Sequence, residues 1–347
     1  MNLRNLVRKL CVAFAGWCTL LSGQQPELRD QTKARWVTLD TAQLASRFLF
    51  ARSGDDRTIA SQVQHQEVIS GRFHLDRKQR FSIGATAGAG KHFTAGWAHT
   101  PIGQGAGDHG FFLKRLYLSL QPLRGIELQY GGLDVERGAS TPIASYHPMA
   151  FITGQRLVLS RPELGLDKIA VTFGYLGDLD NPGMEKHFHR LKRTNYNQVL
   201  VGKKVGERAD LSFDYTNQWG AKTLRQGVAV RTPWSITDTV RFDLYERVNR
   251  RSSAGAHIGA SRSFWKLVGV DAGFAAIDRY YGDLNDDAFF HGRRLYAGGN
   301  VRLVKGFTLS ALFNQAVGND YAVGKKRHFE IGLGFSALAF LPNAGKF

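Results

Sequence analysis

The chain of 347 residues has only two cysteines, Cys11 and Cys18. Nothing after residue 18 can form a disulfide, a thiol nucleophile or a Cys-ligated metal site. Proline is scarce at 9 residues, whereas glycine is abundant at 39. Beyond the first 25 residues no apolar run approaches the roughly 18 residues that a membrane-crossing helix needs, so any crossing there is not made by helices. Acidic residues are also few, with 29 Asp and Glu against 46 Lys and Arg, a formal net charge of +17. The basic residues are scattered and form no clustered recognition element, which argues against nucleic acid as the partner.

The first residues, MNLRNLVRKLCVAFAGWCTLLSGQQ, have a basic head (Arg4, Arg8, Lys9), an apolar run of 12 residues from Leu10 to Leu21, and the small pair Ser22–Gly23. That order is the anatomy of a cleaved secretory signal over 1–23, too short for a spanning helix. Its removal takes away both cysteines and three positive charges, leaving 17 − 3 = +14. Gln24 stands where a lipoprotein would carry its acylated cysteine, which excludes lipidation. Residues 24–43 read as a short polar lead-in.

What fills the rest is alternation. In HFEIGLGFSA (328–337), Phe329, Ile331, Leu333, Phe335 and Ala337 share one face and Glu330, Gly332, Gly334 and Ser336 the other. Successive side chains of a strand point to opposite faces, so this is a ribbon with one oily and one small, wet side. The pattern recurs in RFSIGATAGAG, LYLSLQ, IELQYGG, IAVTFGY, DLSFDYT, VRFDLYER and FTLSALFN. Sixteen such segments begin near residues 44, 59, 80, 111, 125, 150, 167, 194, 209, 222, 239, 254, 266, 292, 307 and 327. Short connections (76–79, 122–125, 204–208, 263–266, 304–306) alternate with long ones (99–110, 133–149, 177–193, 278–291, 317–326) along the second half of the chain. Short turns gathered at one end and long loops at the other are the mark of a transmembrane barrel.

The oily face is then expected to meet lipid. A sheet in lipid must close, because an open edge leaves backbone groups without partners. About sixteen strands enclose a tube too wide for side chains to fill, which accounts for the wet inner face. Tyr130, Tyr175 and Tyr215 fall at the loop-side ends of outward faces, as an interfacial girdle requires. The expected fold is all-β, an up-and-down antiparallel barrel of 14–18 strands over 44–347. A soluble β-sandwich or solenoid is the structural alternative.

On these features the chain resembles the porins of the Gram-negative outer membrane. The resemblance is architectural and names no subfamily. It implies an outer-membrane location, lipids and lipopolysaccharide as surroundings, assembly by the barrel-insertion machinery, and passive diffusion of small anionic or neutral solutes. It leaves open whether the unit is a monomer or a homotrimer. It also implies that the loop after the fifth strand folds inward, which makes Asp134, Glu136 and Arg137 constriction candidates. Such barrels end in a strand with a terminal aromatic residue; here Pro342 and Asn343 intervene before Phe347. A barrel enzyme of the lipid-hydrolase type and a closed structural or adhesion barrel are the functional alternatives.

By strand phase, Arg47, Arg72, Arg115, Arg156, Arg225, Arg231, Arg241, Arg247, Arg294 and Arg302 point inward, against Glu127, Asp210, Asp214, Asp243, Asp271 and Glu330. Ten cations against six anions give the expected pore lining a moderate anion preference. GATAGAGKH (84–92) is no phosphate loop, since Ala85 and His92 stand where glycine and a hydroxyl residue are needed. His187 with His189, and the carboxylates of 178–181 and 283–287, read as solvated loop residues. No Ser–His spacing singles out a nucleophile and base, and neither a cofactor nor a metal is expected.

Overall fold

The computed structural model describes residues 36–89, 112–140, 143, 151–176, 194–234, 236–249, 253–278, 280–281, 291–318 and 325–340. The candidate signal 1–23, the histidine pair 187/189 and the carboxylates of 178–181 and 283–287 lie outside these residues.

Sixteen strands close into one antiparallel barrel, each paired with its chain neighbours and the last with the first. The first half comprises β1 (Val37–Ser53), β2 (Thr58–His74), β3 (Phe81–Ala89), β4 (Phe112–Leu123), β5 (Ile126–Asp134), β6 (Phe151–Arg161), β7 (Leu166–Tyr175) and β8 (Tyr196–Val205). The second comprises β9 (Ala209–Gln218), β10 (Ala221–Arg231), β11 (Thr239–Arg247), β12 (Ser253–Phe264), β13 (Val268–Ile277), β14 (Gly292–Val304), β15 (Phe307–Ala316) and β16 (Lys325–Ser336). From β2 onward the strand starts fall within two residues of those read from alternation. No described helix is long and apolar enough to cross a membrane.

The start of β1 corrects the reading of 24–43 as a lead-in, because residues 37–43 belong to the wall. The cause is a bulge. Leu39 pairs with Gly71 but Thr41 with Ser70, so Asp40 is an inserted residue that reverses the in/out phase. Before it, Thr38 faces the lumen and bonds His74 Nε2 at 2.9 Å. After it, Gln43, Ala45 and Arg47 take that face. Alternation broken in the middle no longer looks like a strand.

Connections at one end are all short: 75–80, 124–125, 162–165, 206–208, 232–238, 265–267 and 305–306. The first is held by the Phe81 N–H donating to Asp76 Oδ1 at 2.8 Å. That bond keeps the Asp76 carboxyl below its usual range. The other end carries the long connections 90–111, 135–150, 176–195 and 278–291, although 219–220 is a tight turn there too.

The outward face is apolar and open, with Leu44, Phe48, Val63, Ile69, Leu118, Leu128, Phe173, Ile258, Leu295, Phe313, Ile331 and Leu333 all exposed. Inward, the β1–β16 seam is closed by more than its ladder. Arg47 Nη1 lies 3.1 Å from Glu330 Oε1, and Arg47 Nε donates to Gln64 Oε1 at 2.5 Å. His328 Nε2 lies 2.6 Å from the same carboxylate oxygen. Replacing Glu330 by Ala strands two largely buried partners and should cost about 1–3 kcal/mol. The check is the urea midpoint of the detergent-folded barrel; an unmoved midpoint would show that the ladder alone holds the seam.

Candidate functional site

The chain that leaves β5 does not turn back over the rim. It enters the barrel and runs along the inner wall. Arg156 of β6 anchors its start, with Nη2 donating to the carbonyl oxygen of Asp134. The same guanidinium donates from Nε to Thr172 Oγ1 at 2.9 Å and from Nη1 to Gln129 Oε1 at 3.2 Å. Its Nη1 also lies 3.5 Å from Glu136 Oε1, whose other oxygen is 2.5 Å from Lys168 Nζ on β7. Gln198 of β8 donates to the Glu136 carbonyl at 2.9 Å, and the Ala139 N–H donates to Ser212 Oγ of β9 at 2.8 Å.

Close approach explains the small residues. A Cβ on Gly138 would collide with the Ser212 side chain, and one on Gly227 of β10 would come within 2.6 Å of Ser140 Cα. Glycine at both positions lets the segment lie flat on the wall. Further along, Ile143 is buried in a cluster with Tyr245 of β11, Ala275 and Ile277 of β13, and Tyr281. The segment therefore forms a strap that begins at β5 and touches walls as far as β13.

The wall beneath is polar and internally paired. Arg225 Nη2 lies 2.5 Å from Asp214 Oδ2, which also accepts from Gln198 at 3.0 Å. On β11–β14, His257 Nδ1 lies 2.7 Å from Asp243 Oδ2, and its Nε2 lies 2.8 Å from the Tyr296 hydroxyl. Tyr296 reaches that far because it lies across Gly259 and Gly273, where a Cβ would meet its ring or hydroxyl at 2.7 Å.

Every inward arginine named from phase is on an inward register position, but they are not equivalent. Arg156, Arg225 and Arg294 are covered, at 4%, 4% and 0% exposure. Arg47 pairs with Glu330, Arg115 with Asp134, Arg231 with Asp210, and Arg72 reaches toward Asp40 and Glu127. Arg247 donates to the Tyr280 carbonyl. Arg241 and Arg302 are exposed. Of the strap candidates, Asp134 and Glu136 meet Arg115, Arg156 and Lys168, while Arg137 is half-buried on the same segment.

Phase reasoning missed the inward apolar residues. Leu49, Leu133, Ile152, Leu176, Tyr196, Leu200 and Ile277 all sit toward the long-connection end and are buried. Their signal in the sequence is an apolar residue on the wet phase near a long connection, as Leu133 is beside 135–150. Among the described residues no three His, Cys, Asp or Glu side chains converge as a metal site.

No family model and no curated protein matches the chain. Solved structures do. A triply substituted variant of the Rhodopseudomonas blastica porin matches at a TM-score of 0.58 with 12% identity, covering 86% of this chain and 99% of that one. Another triple variant of that porin matches at 0.57 with 13% identity over the same shares. A further match, described under asymmetric conductivity of engineered proteins, has the same TM-score of 0.57 and 13% identity. At such identities the likeness is one of fold, a closed antiparallel barrel shared over nearly the whole of each porin.

Gly227→Val places a side chain where Ser140 lies and should unseat the strap without opening the barrel. The expected outcome is faster protease cleavage within 135–150 while heat-modifiable gel mobility is retained. Cleavage at the unmodified rate would mean that the strap does not depend on this seat.

Proposed function

We propose that the protein is an outer-membrane channel for passive diffusion of small hydrophilic solutes, exported by its 1–23 signal, with a moderate preference for anions. The observation that carries this reading is the closed sixteen-strand wall, apolar outside and charged inside. Such a ring is too wide for side chains to fill and so holds water. Exposed tryptophans near the short-turn end (Trp36, Trp234, Trp265) suit a membrane interface. The long-connection end would face outward from the cell, toward lipopolysaccharide.

An enzymatic reading has less support. The Asp243–His257–Tyr296 relay has a base and an orienting carboxylate, but it ends on a phenol laid flat on the wall rather than on an aliphatic hydroxyl nucleophile.

The strap is the constriction in this reading. Its Glu136 carboxylate is tied to Arg156 and Lys168, and Asp134 at its root to Arg115, so it narrows the lumen by bulk more than by free charge. Folded protein in a planar bilayer should conduct, and deleting 135–145 should raise single-channel conductance. Silence from folded protein would favour a closed structural barrel, and unchanged conductance after deletion would reject the constriction.

Ion preference follows the charge that water can reach. With Arg156, Arg225 and Arg294 covered, the field rests chiefly on Arg231, Arg241 and Arg302 against Asp210 and Asp271. Screening over about 10 Å at 0.1 M salt keeps the preference moderate. Under a KCl gradient the zero-current potential should have the chloride-selective sign, and replacing Arg231 and Arg241 by Glu should weaken it. A cation-selective sign in the unmodified protein would overturn the assignment.

The homotrimer gains support from the outer faces of β1–β3. There Ser46, His65 and Glu67 interrupt the apolar belt, beside small residues Ala85, Ala87 and Ala89. A charge facing lipid is destabilising, so a neighbouring copy is the better cover. Cross-linking in mild detergent should trap a trimer that Glu67→Arg disperses; a monomer throughout would reject it.

A further inference from the structure

Most inward charges are engaged: Arg47 with Glu330, Arg156 and Lys168 with Glu136, Arg225 with Asp214, Arg231 with Asp210, and Asp243 with His257. Among the described residues Arg302 of β14 is not, and neither are two residues of opposite sign. Among the described residues neither Arg241 of β11 nor Asp271 of β13 makes a side-chain hydrogen bond or an ion pair within 4.0 Å. Both line one lumenal cavity of about 410 Å³.

The cavity owes its shape to glycine. The strand between the two charges, β12, contributes Gly259, which pairs with Arg241 on one side and with Gly273 on the other. The Tyr296 hydroxyl and the His257 ring sit low over Gly259, where a side chain would stand, and the hollow opens beside them, between residues two strands apart, roughly 10 Å across at the usual strand spacing. Tyr296 roofs part of it, and Ile143 of the strap and Leu312 of β15 supply an apolar edge. Asn300 adds an amide.

An isolated anion would be drawn by Arg241 and repelled by Asp271, and an isolated cation the reverse. A molecule carrying both charges a few bonds apart satisfies both walls. We infer that this alcove is a binding subsite for small zwitterions, α-amino acids or dipeptides with an apolar side chain. The carboxylate meets Arg241, the ammonium meets Asp271, and the side chain lies against Tyr296, Leu312 and Ile143. The guanidinium fork suits a carboxylate in two-point contact. This deepens the channel reading and rests on it for how the solute arrives, though not for binding itself.

The test is calorimetric titration of the detergent-folded, full-length barrel with leucine and with alanyl-leucine, which separate the free amino acid from the dipeptide as occupant. N-acetyl-leucine, which lacks the ammonium, and leucinamide, which lacks the carboxylate, are the comparison ligands. At least one zwitterion should bind saturably, and each single-charge analogue should bind about tenfold or more weakly, as expected for losing a charged hydrogen bond. Arg241→Gln and Asp271→Asn should each weaken binding about tenfold or more, whereas Arg77→Gln, on a short turn, should not. No binding of either zwitterion, analogues that bind equally well, or undiminished binding in both variants would overturn the inference. Should a variant fail to fold, the analogue series on the unmodified protein decides alone. A barrel that conducts but does not bind sinks this inference and leaves the channel; one that binds but passes no current does the opposite.

Discussion

The structure depends on one pairing, β1 with β16. Each other strand is bonded to its neighbours in sequence, so only this contact converts a ribbon into a tube. It joins residues nearly three hundred positions apart, from Gln43↔Ser336 to Ser53↔Lys325. Without it two edges would present unpaired backbone groups, which lipid cannot accommodate. The ion pair, the glutamine and the histidine at the seam add directional side-chain bonds where the ladder has most sequence distance to overcome.

Closure at sixteen strands creates the next problem, a lumen wider than side chains can span. Among the described residues the strap is what meets it. The strap from β5 lays backbone against glycine, serine and glutamine on the wall, then inserts Ile143 among apolar side chains. The inward face is thus graded. Toward the long-connection end it is more covered, with apolar side chains beside the buried Arg294, and toward the short turns it is more open, with the alcove of Arg241 and Asp271 on the open part.

Most of the wall was legible in the sequence because a period of two survives wherever a strand has one wet and one oily face. The strand starts from β2 onward and the inward phase of the arginines follow from that period alone. It failed where the backbone departs from regular pairing, as at the Asp40 bulge. It also failed where the wet face is not wet, as at Leu133, Ile152 and Leu200, since burial under a strap depends on contacts across the lumen that no local window contains. The strap was expected by resemblance, but its path over Ser212 and Gly227 was not. Glycine on an inner phase reads merely as small, and only the structure shows which glycines have backbone laid against them. The same limit hid the alcove: Arg241 and Asp271 were equal members of a list until their neighbours' pairings left them over.

The seating of the strap also bears on how such a protein can change through descent. Its short turns touch little and can vary one at a time. The strap is held at β6, β7, β8, β9 and β10 by groups that fit it individually, so a substitution in any of those strands is read by the same few residues of chain. Gly227 can gain a side chain only if Ser140 moves, and Ser140 moves only if its neighbours release Ser212 or Gln198. Wall and strap are therefore inherited as a unit, and the bore of the barrel should shift in discrete, coordinated steps rather than by gradual drift.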